Sequence, residues 1–227
     1  AMFERGRVFQ RKDKEMLERM ELAIALTGRR NPERFAAERE QLLDFYDMKG
    51  ILESWLDSAD LKNLRCEAAE HNAFKKTACA SIAYDNKILL HFGEVDKKWL
   101  KGIRLRAPLF IALIDLQAVL DIKTAAKKYQ ELPQFPGTAR DITLVAAPGL
   151  THQDILDTIN ELKLPILESV ELVDVFEDEK VLGKGRRSMT YSISFCNPQR
   201  TLKDDEVNQM QEKIRKELQN KLKVELR

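Results

Sequence analysis

The sequence predicts an α+β chain in two parts, a strand-rich first half followed by a small unit with the order β-α-β-β-α-β. Three observations carry that prediction. The run at 135–145, FPGTARDITLV, passes from a Pro-Gly pair directly into an alternating strand. Beyond it, apolar residues recur with period two over 188–196 and at three- and four-residue steps over 207–218. Before it, short apolar runs are broken by charged stretches and turn residues.

A length of 227 residues fits one large domain or two ordinary ones, and 44% hydrophobic residues suffice for a packed core. Lys plus Arg number 38 and Asp plus Glu 37, a net charge of +1. A chain this balanced is no general polyanion binder, so any nucleic-acid contact must come from a local patch. No apolar run approaches the roughly 18–20 residues that span a bilayer, and no signal-peptide pattern opens the chain. Cys66, Cys79 and Cys196 are scattered and odd in number, which argues against a disulfide framework or zinc ribbon. The expectation is a soluble protein of the cytoplasm. Ala-Met leads at once into strand-like sequence, which suggests a piece of a longer protein.

Residues 3–9 predict the first strand. Charged residues 11–21 follow, then the apolar run 22–26, which suits a buried strand or a helical segment. Residues 31–41 predict a polar connection. Asp44 caps a predicted helix over 44–56 whose Met48, Ile51, Leu52 and Trp55 form its core stripe. Residues 78–90 predict two strands joined at Tyr84-Asp-Asn-Lys87, where the Asp-Asn pair suits a tight hairpin. Residues 110–120 predict another buried strand, and 123–134 a polar linker ending the 1–122 module, with Pro133 and Pro136 marking the boundary.

In the 135–227 domain, Ile142 and Leu144 alternate with Asp141 and Thr143 in the first strand. Thr151 and Asp154 form a capping box for a helix buried through Ile155, Ile159 and Leu162. The second strand is 167–176, with Val170, Leu172 and Phe176 on one side and Asp174 at the same parity. A loop over 177–187 leads to the third strand at 188–196. Thr201 with Asp204 caps the long second helix, whose stripe is Val207, Met210, Ile214 and Leu218, and 223–226 closes the sheet. This order is the split βαβ, or ferredoxin-like, unit.

Alternation puts Met189, Tyr191, Ile193 and Phe195 under the helices and leaves Ser188, Thr190, Ser192 and Ser194 on the open face. Asp141 and Thr143 join that face, which therefore presents hydrogen-bonding hydroxyls and a carboxylate. The exposed basic-aromatic signature of an ordinary RNA-recognition motif is absent. Lys184, Arg186 and Arg187 form a cationic hairpin tip, with Arg140 and Arg200 at neighbouring strand ends. Arg forks match phosphate oxygens and can stack on bases, although such a cluster is also ordinary solvated surface. Gly183 and Gly185 lack the Lys and Ser of a Walker loop. Glu67, Glu70 and His71 have spacing compatible with ligation but no evident further ligand. His91 and His152 stand alone, and Cys79 has no histidine partner in sequence.

FPGTARDITLV (135–145), ILESVELVDVF (166–176), GRRSMTYSISF (185–195) and RTLKDDEVNQ (200–209) resemble, in order and without large gaps, the ferredoxin-fold anticodon-binding domain that closes the bacterial phenylalanyl-tRNA synthetase β subunit. FERGRVF (3–9), FYDMKGILESWL (45–56) and FGEV (92–95) resemble the later part of the catalytic-like module preceding it. The resemblance implies an antiparallel class II synthetase-like but non-catalytic partial module, then the anticodon-binding domain. No Gly-rich stretch with an ATP-binding arginine occurs over 74–120, and Val95-Asp96 stands where the family usually has His-Pro.

The resemblance further implies contact with the anticodon stem-loop of tRNA(Phe) and a heterotetramer of two α and two β subunits. ATP and Mg²⁺ would act on the α subunit. On that reading the candidate RNA-binding residues are Arg140, Asp141, Thr143, Lys184, Arg186, Arg187, Ser188, Thr190, Ser192 and Arg200. A protein-interaction module without RNA binding is the alternative. A stand-alone enzyme is disfavoured by the lack of a convergent acid, base or nucleophile. Replacing Arg186 and Arg187 with Ala is expected to weaken tRNA binding and flatten its salt dependence, as read by filter binding.

Overall fold

Two sheets account for the strands of the computed structural model, which describes residues 1–12, 15–30, 41–62, 64–124 and 134–227. The chain divides into two compact units, Ala1–Lys128 and Tyr129–Arg227. Most of the expected connection at 31–41 and of the expected linker at 123–134, Pro133 included, lies outside the described residues.

The first unit is a six-stranded antiparallel sheet in the order β1-β2-β6-β5-β4-β3. Its strands are β1 (Met2–Lys12), β2 (Glu15–Thr27), β3 (Arg65–Ala68), β4 (Phe74–Tyr84), β5 (Lys87–Val95) and β6 (Leu109–Asp115). The 22–26 run is thus strand, and the charged stretch before it is largely strand as well. Pairing with β1 continues back to Glu15, so the polar residues sit on a two-stranded ribbon that needs no buried face. The β4–β5 hairpin turns at Asp85 and Asn86, both at positive φ, the backbone that a tight two-residue turn requires.

Helix α1 (Phe45–Ser58) begins at Asp44, whose side chain accepts from the Tyr46 and Asp47 amides at 2.8 and 3.0 Å. The Asp47 carboxylate accepts in return from the Asp44 amide at 2.7 Å, closing a capping box. Its fully buried stripe is Met48, Leu52 and Leu56, at i, i+4 and i+8. Expected core residue Ile51 is exposed instead and Trp55 is half-buried, because the stripe facing the sheet is narrower than the apolar pattern. These side chains pack on Leu26, Ile82, Leu90, Phe92, Phe110, Ala112 and Ile114, and Phe45 stacks on Phe92 at 4.8 Å. The expected strand at 110–120 ends at Asp115. That carboxylate accepts from the Ala118 amide at 2.9 Å and caps a short helix, α2 (Leu116–Leu120). Strand β3 had no counterpart in the sequence pattern. It places Glu67 on an edge strand, so the helical spacing from Glu67 to His71 does not apply.

The second unit is a four-stranded antiparallel sheet in the order β10-β7-β9-β8, carrying two long helices. Its elements are β7 (Thr138–Ala146), α3 (His152–Glu161), β8 (Leu167–Phe176), α4 (Glu179–Leu182), β9 (Arg187–Phe195), α5 (Asp204–Leu222) and β10 (Glu225–Leu226). The βαββαβ order is the expected one, with α4 a helical turn inserted in the expected 177–187 loop. Ile142, Leu144, Met189, Tyr191, Ile193 and Phe195 form one core with Ile155, Ile159, Val207, Ile214 and Leu218. Each such fully buried side chain contributes roughly 1.5–3 kcal/mol. Thr151 caps α3 as expected, donating its amide to Asp154 at 2.8 Å. Thr201 does not cap α5: the helix starts after Lys203, whose amide is accepted by Glu206 at 3.2 Å.

Gly93 of β5 lies against β4 so closely that a Cβ there would collide with the Ala78 carbonyl oxygen. Gly93→Ala should therefore destabilise the first unit by about 1–3 kcal/mol, the usual cost of overpacking. Urea denaturation would show it; a variant as stable as the parent would disprove the close approach.

Candidate nucleic-acid interface

Strand β9 lies between β7 and β8, so its outward residues each face two neighbours. Ser192 pairs with Asp141 on one side and Glu171 on the other. Thr190 sits between Thr143 and Asp174, and the Thr143 and Thr190 hydroxyls are 3.0 Å apart. Ser188 sits between Val145 and Phe176. The sheet face away from the helices is thus four cross-strand rows, the fourth being Ser194 between Ala139 and Ser169, and it carries hydroxyls, carboxylates and the one aromatic ring of Phe176.

That ring reaches the face through a register shift. Leu172 pairs with Tyr191, and the next pair along the ladder is Asp174 with Thr190, so Val173 is an extra residue on β8. One extra residue flips every later side chain to the other face. Phe176 and Asp174 therefore leave the side shared by Val170 and Leu172, which corrects the expected single-sided grouping. Phe176 is 46% exposed, a large apolar surface beside polar neighbours. It supplies the exposed aromatic that strict alternation concealed; the adjacent apolar pair Leu172-Val173 before Asp174 is the only sequence sign of it.

The face is not open along its whole length. Ser188 is 8% exposed and Val145 is 2% exposed. Ser188, expected among the accessible hydroxyls, is buried at that end, while Thr190 and Ser192 are half-buried and Asp141 is exposed. Strand β10 flanks the closed end, pairing Glu225 with Val145.

The expected cations divide by what already holds them. Arg187 lies on the helix side of β9 and donates to the Leu150 carbonyl at 2.6 Å. Arg140 shares that side, donating to Asp204 at 2.9 Å and to the Thr138 hydroxyl at 3.0 Å. Arg200 forks onto Glu206 at 2.6 and 2.8 Å, and that contact with the Lys203 amide pulls the Glu206 carboxyl down to about 2. Arg186 pairs with Glu225 at 2.8 Å. Lys184 is exposed at the tip with no ion pair among the described residues.

Elsewhere the isolated groups are structural in setting. His152 Nδ1 is 2.9 Å from the Tyr191 hydroxyl, whose titration burial pushes far upward. His91 lies 5.0 Å from His71, ring centre to ring centre; burial and that neighbour lower its titration. Burial raises the Cys66 and Cys79 thiols, away from reactive thiolates. Among the described residues no three His, Cys, Asp or Glu side chains converge to hold a metal, Glu67, Glu70 and His71 included. No described helix is long and apolar enough to cross a membrane.

Comparison with known proteins covers both units. Residues 133–227 match the family described as ferredoxin-fold anticodon binding domain, and residues 1–116 match phenylalanyl tRNA synthetase beta chain CLM domain. Curated relatives aligned over the whole chain include phenylalanine–tRNA ligase beta subunits from Streptococcus thermophilus, Clostridium tetani and Bacillus subtilis. They are 32%, 30% and 28% identical. The chain spans only 27–28% of the length of these relatives.

The depressed Glu206 carboxyl gives α5 a pH-sensitive start. Its contribution is present above the ordinary glutamate range and fades as pH falls toward 2. Arg200→Ala should move the Glu206 midpoint upward, read by carboxyl-carbon NMR titration; an unmoved midpoint would exclude the pair as its cause.

Proposed function

We propose, for a chain that belongs to the phenylalanyl-tRNA synthetase beta-chain family, that the open face of its second unit reads single-stranded bases in the anticodon loop of tRNA(Phe). The observation that carries this reading is the juxtaposition of Phe176 with Asp174, Thr190, Thr143, Ser192 and Asp141 on one exposed sheet surface. Unstacked bases offer a ring for an aromatic face and N–H and carbonyl edges for hydroxyls and carboxylates. Three carboxylates on the face, Asp141, Glu171 and Asp174, repel phosphate, so the sheet suits base edges and phosphates belong at its rim. Lys184 is the rim cation available for them; Arg186 would have to leave Glu225. Arg140, Arg187 and Arg200 serve better as ties that hold β7, β9 and α5 in place.

The first unit then acts as a non-catalytic class II synthetase-like scaffold. Within a heterotetramer of two α and two β subunits, it would pack beside the α subunit that activates phenylalanine with ATP and Mg²⁺. This chain's own share is to bind and orient RNA, with no step of the activation chemistry on its residues.

A second reading has one observation in its favour. Strand β8 is a sheet edge with Val173 and Val175 exposed, which suits a protein strand added alongside.

Phe176→Ala should cost about 1–3 kcal/mol in binding an anticodon stem-loop RNA, the usual worth of one aromatic–base stack. Asp174→Asn should reduce the preference for the cognate over a scrambled anticodon. Fluorescence anisotropy against both RNAs decides it. Equal affinity of the parent chain for the two loops would remove the reading and leave the protein-partner alternative.

A further inference from the structure

The connection between β5 and β6 concentrates charge that the rest of the chain does not share. Residues 94–106 hold five cations against two carboxylates, a net +3, in a protein whose total is +1. Both carboxylates are occupied: Glu94 accepts Lys75 at 2.9 Å, and Asp96 accepts the Lys98 amide at 2.9 Å as cap of the short helical turn Lys97–Leu100. Lys97, Lys101, Arg104 and Arg106 are exposed and have no ion pair among the described residues. Among them stands Trp99, 60% exposed, its indole N–H fixed to the Asn72 carbonyl at 2.8 Å. The ring is therefore held by its edge with a face left to solvent, and Lys98 Nζ lies 5.8 Å from its centre.

We infer that this basic, Trp-bearing connection is a second RNA-binding surface, in the first unit, that grips the phosphate backbone without reading sequence. Exposed cations in numbers supply the sequence-independent affinity, and an exposed indole adds a stacking plane. Arg forks match phosphate oxygens in a way that a solubilising lysine patch does not need. An anionic membrane is the less fitting target: the segment contains a single four-residue helical turn, and its apolar side chains are interleaved with charge rather than gathered on one helix face. This surface stands apart from the anticodon reading and does not rest on it.

The test uses the whole chain and a short blunt RNA duplex, which has no loop for the second unit to read. The parent should bind it with steep salt dependence. The triple variant Lys97→Ala/Lys101→Ala/Arg104→Ala should flatten the log affinity against log salt slope by about 2–3, close to 0.9 for each phosphate no longer neutralised. Trp99→Leu should abolish the quenching of protein fluorescence that duplex or single strand produces. The triple variant should leave the preference for cognate over scrambled anticodon loops untouched, whereas Phe176→Ala should weaken anticodon-loop binding and leave duplex binding intact. No duplex binding by the parent, or an unchanged slope in the triple variant, overturns the inference. So does a parent chain that binds anionic vesicles but not the duplex. Equal affinity for the two anticodon loops would sink only the anticodon reading.

Discussion

In the second unit one strand sets the terms for everything around it. Strand β9 is paired on both edges, so its alternation is imposed on β7 and β8 as well as on the helices. Met189, Tyr191, Ile193 and Phe195 are almost wholly buried, and all four must point the same way. A slip of one residue would bury Thr190, Ser192 and Ser194 and expose four large apolar side chains, at a cost far above any surface gain. The face available to a ligand is fixed by that constraint before any ligand arrives.

The extra residue at Val173 works within this frame. It leaves β9 unaltered and changes only which β8 side chains share a face with it. Because β8 is an edge strand, the irregularity disturbs one ladder rather than two. The result is an aromatic ring and a carboxylate delivered to a surface of hydroxyls, a combination suited to flat heterocycles with mixed donors and acceptors.

Charge is apportioned differently in the two units. Around the second sheet most arginines already hold a carbonyl or carboxylate, and their work is to fasten helix starts and strand ends. In the first unit the β5–β6 connection keeps four of its five cations without an ion pair among the described residues, Lys98 lying 3.6 Å from Asp96, and its own carboxylates engaged. Net charge alone, near zero for the chain, hides this contrast. Position relative to a partner decides whether a cation is a fastening or a contact.

The sequence by itself determined the βαββαβ order, the capping of α1 and α3, the Asp85–Asn86 hairpin and the buried face of β9. These are local matters of period, cap and turn, each complete within a few residues. The same alternation made Asp141, Thr143, Thr190 and Ser192 legible as outward residues. Only the tertiary structure decided that β2 begins at Glu15, that β3 exists as an edge, and that Asp115 ends a strand and starts a helix. It also decided that Arg187 serves Leu150, that Ser188 is buried, and that Phe176 joins the open face. Each of these depends on register or contact with residues far along the chain, and no local pattern encodes which partner a strand or a guanidinium will meet.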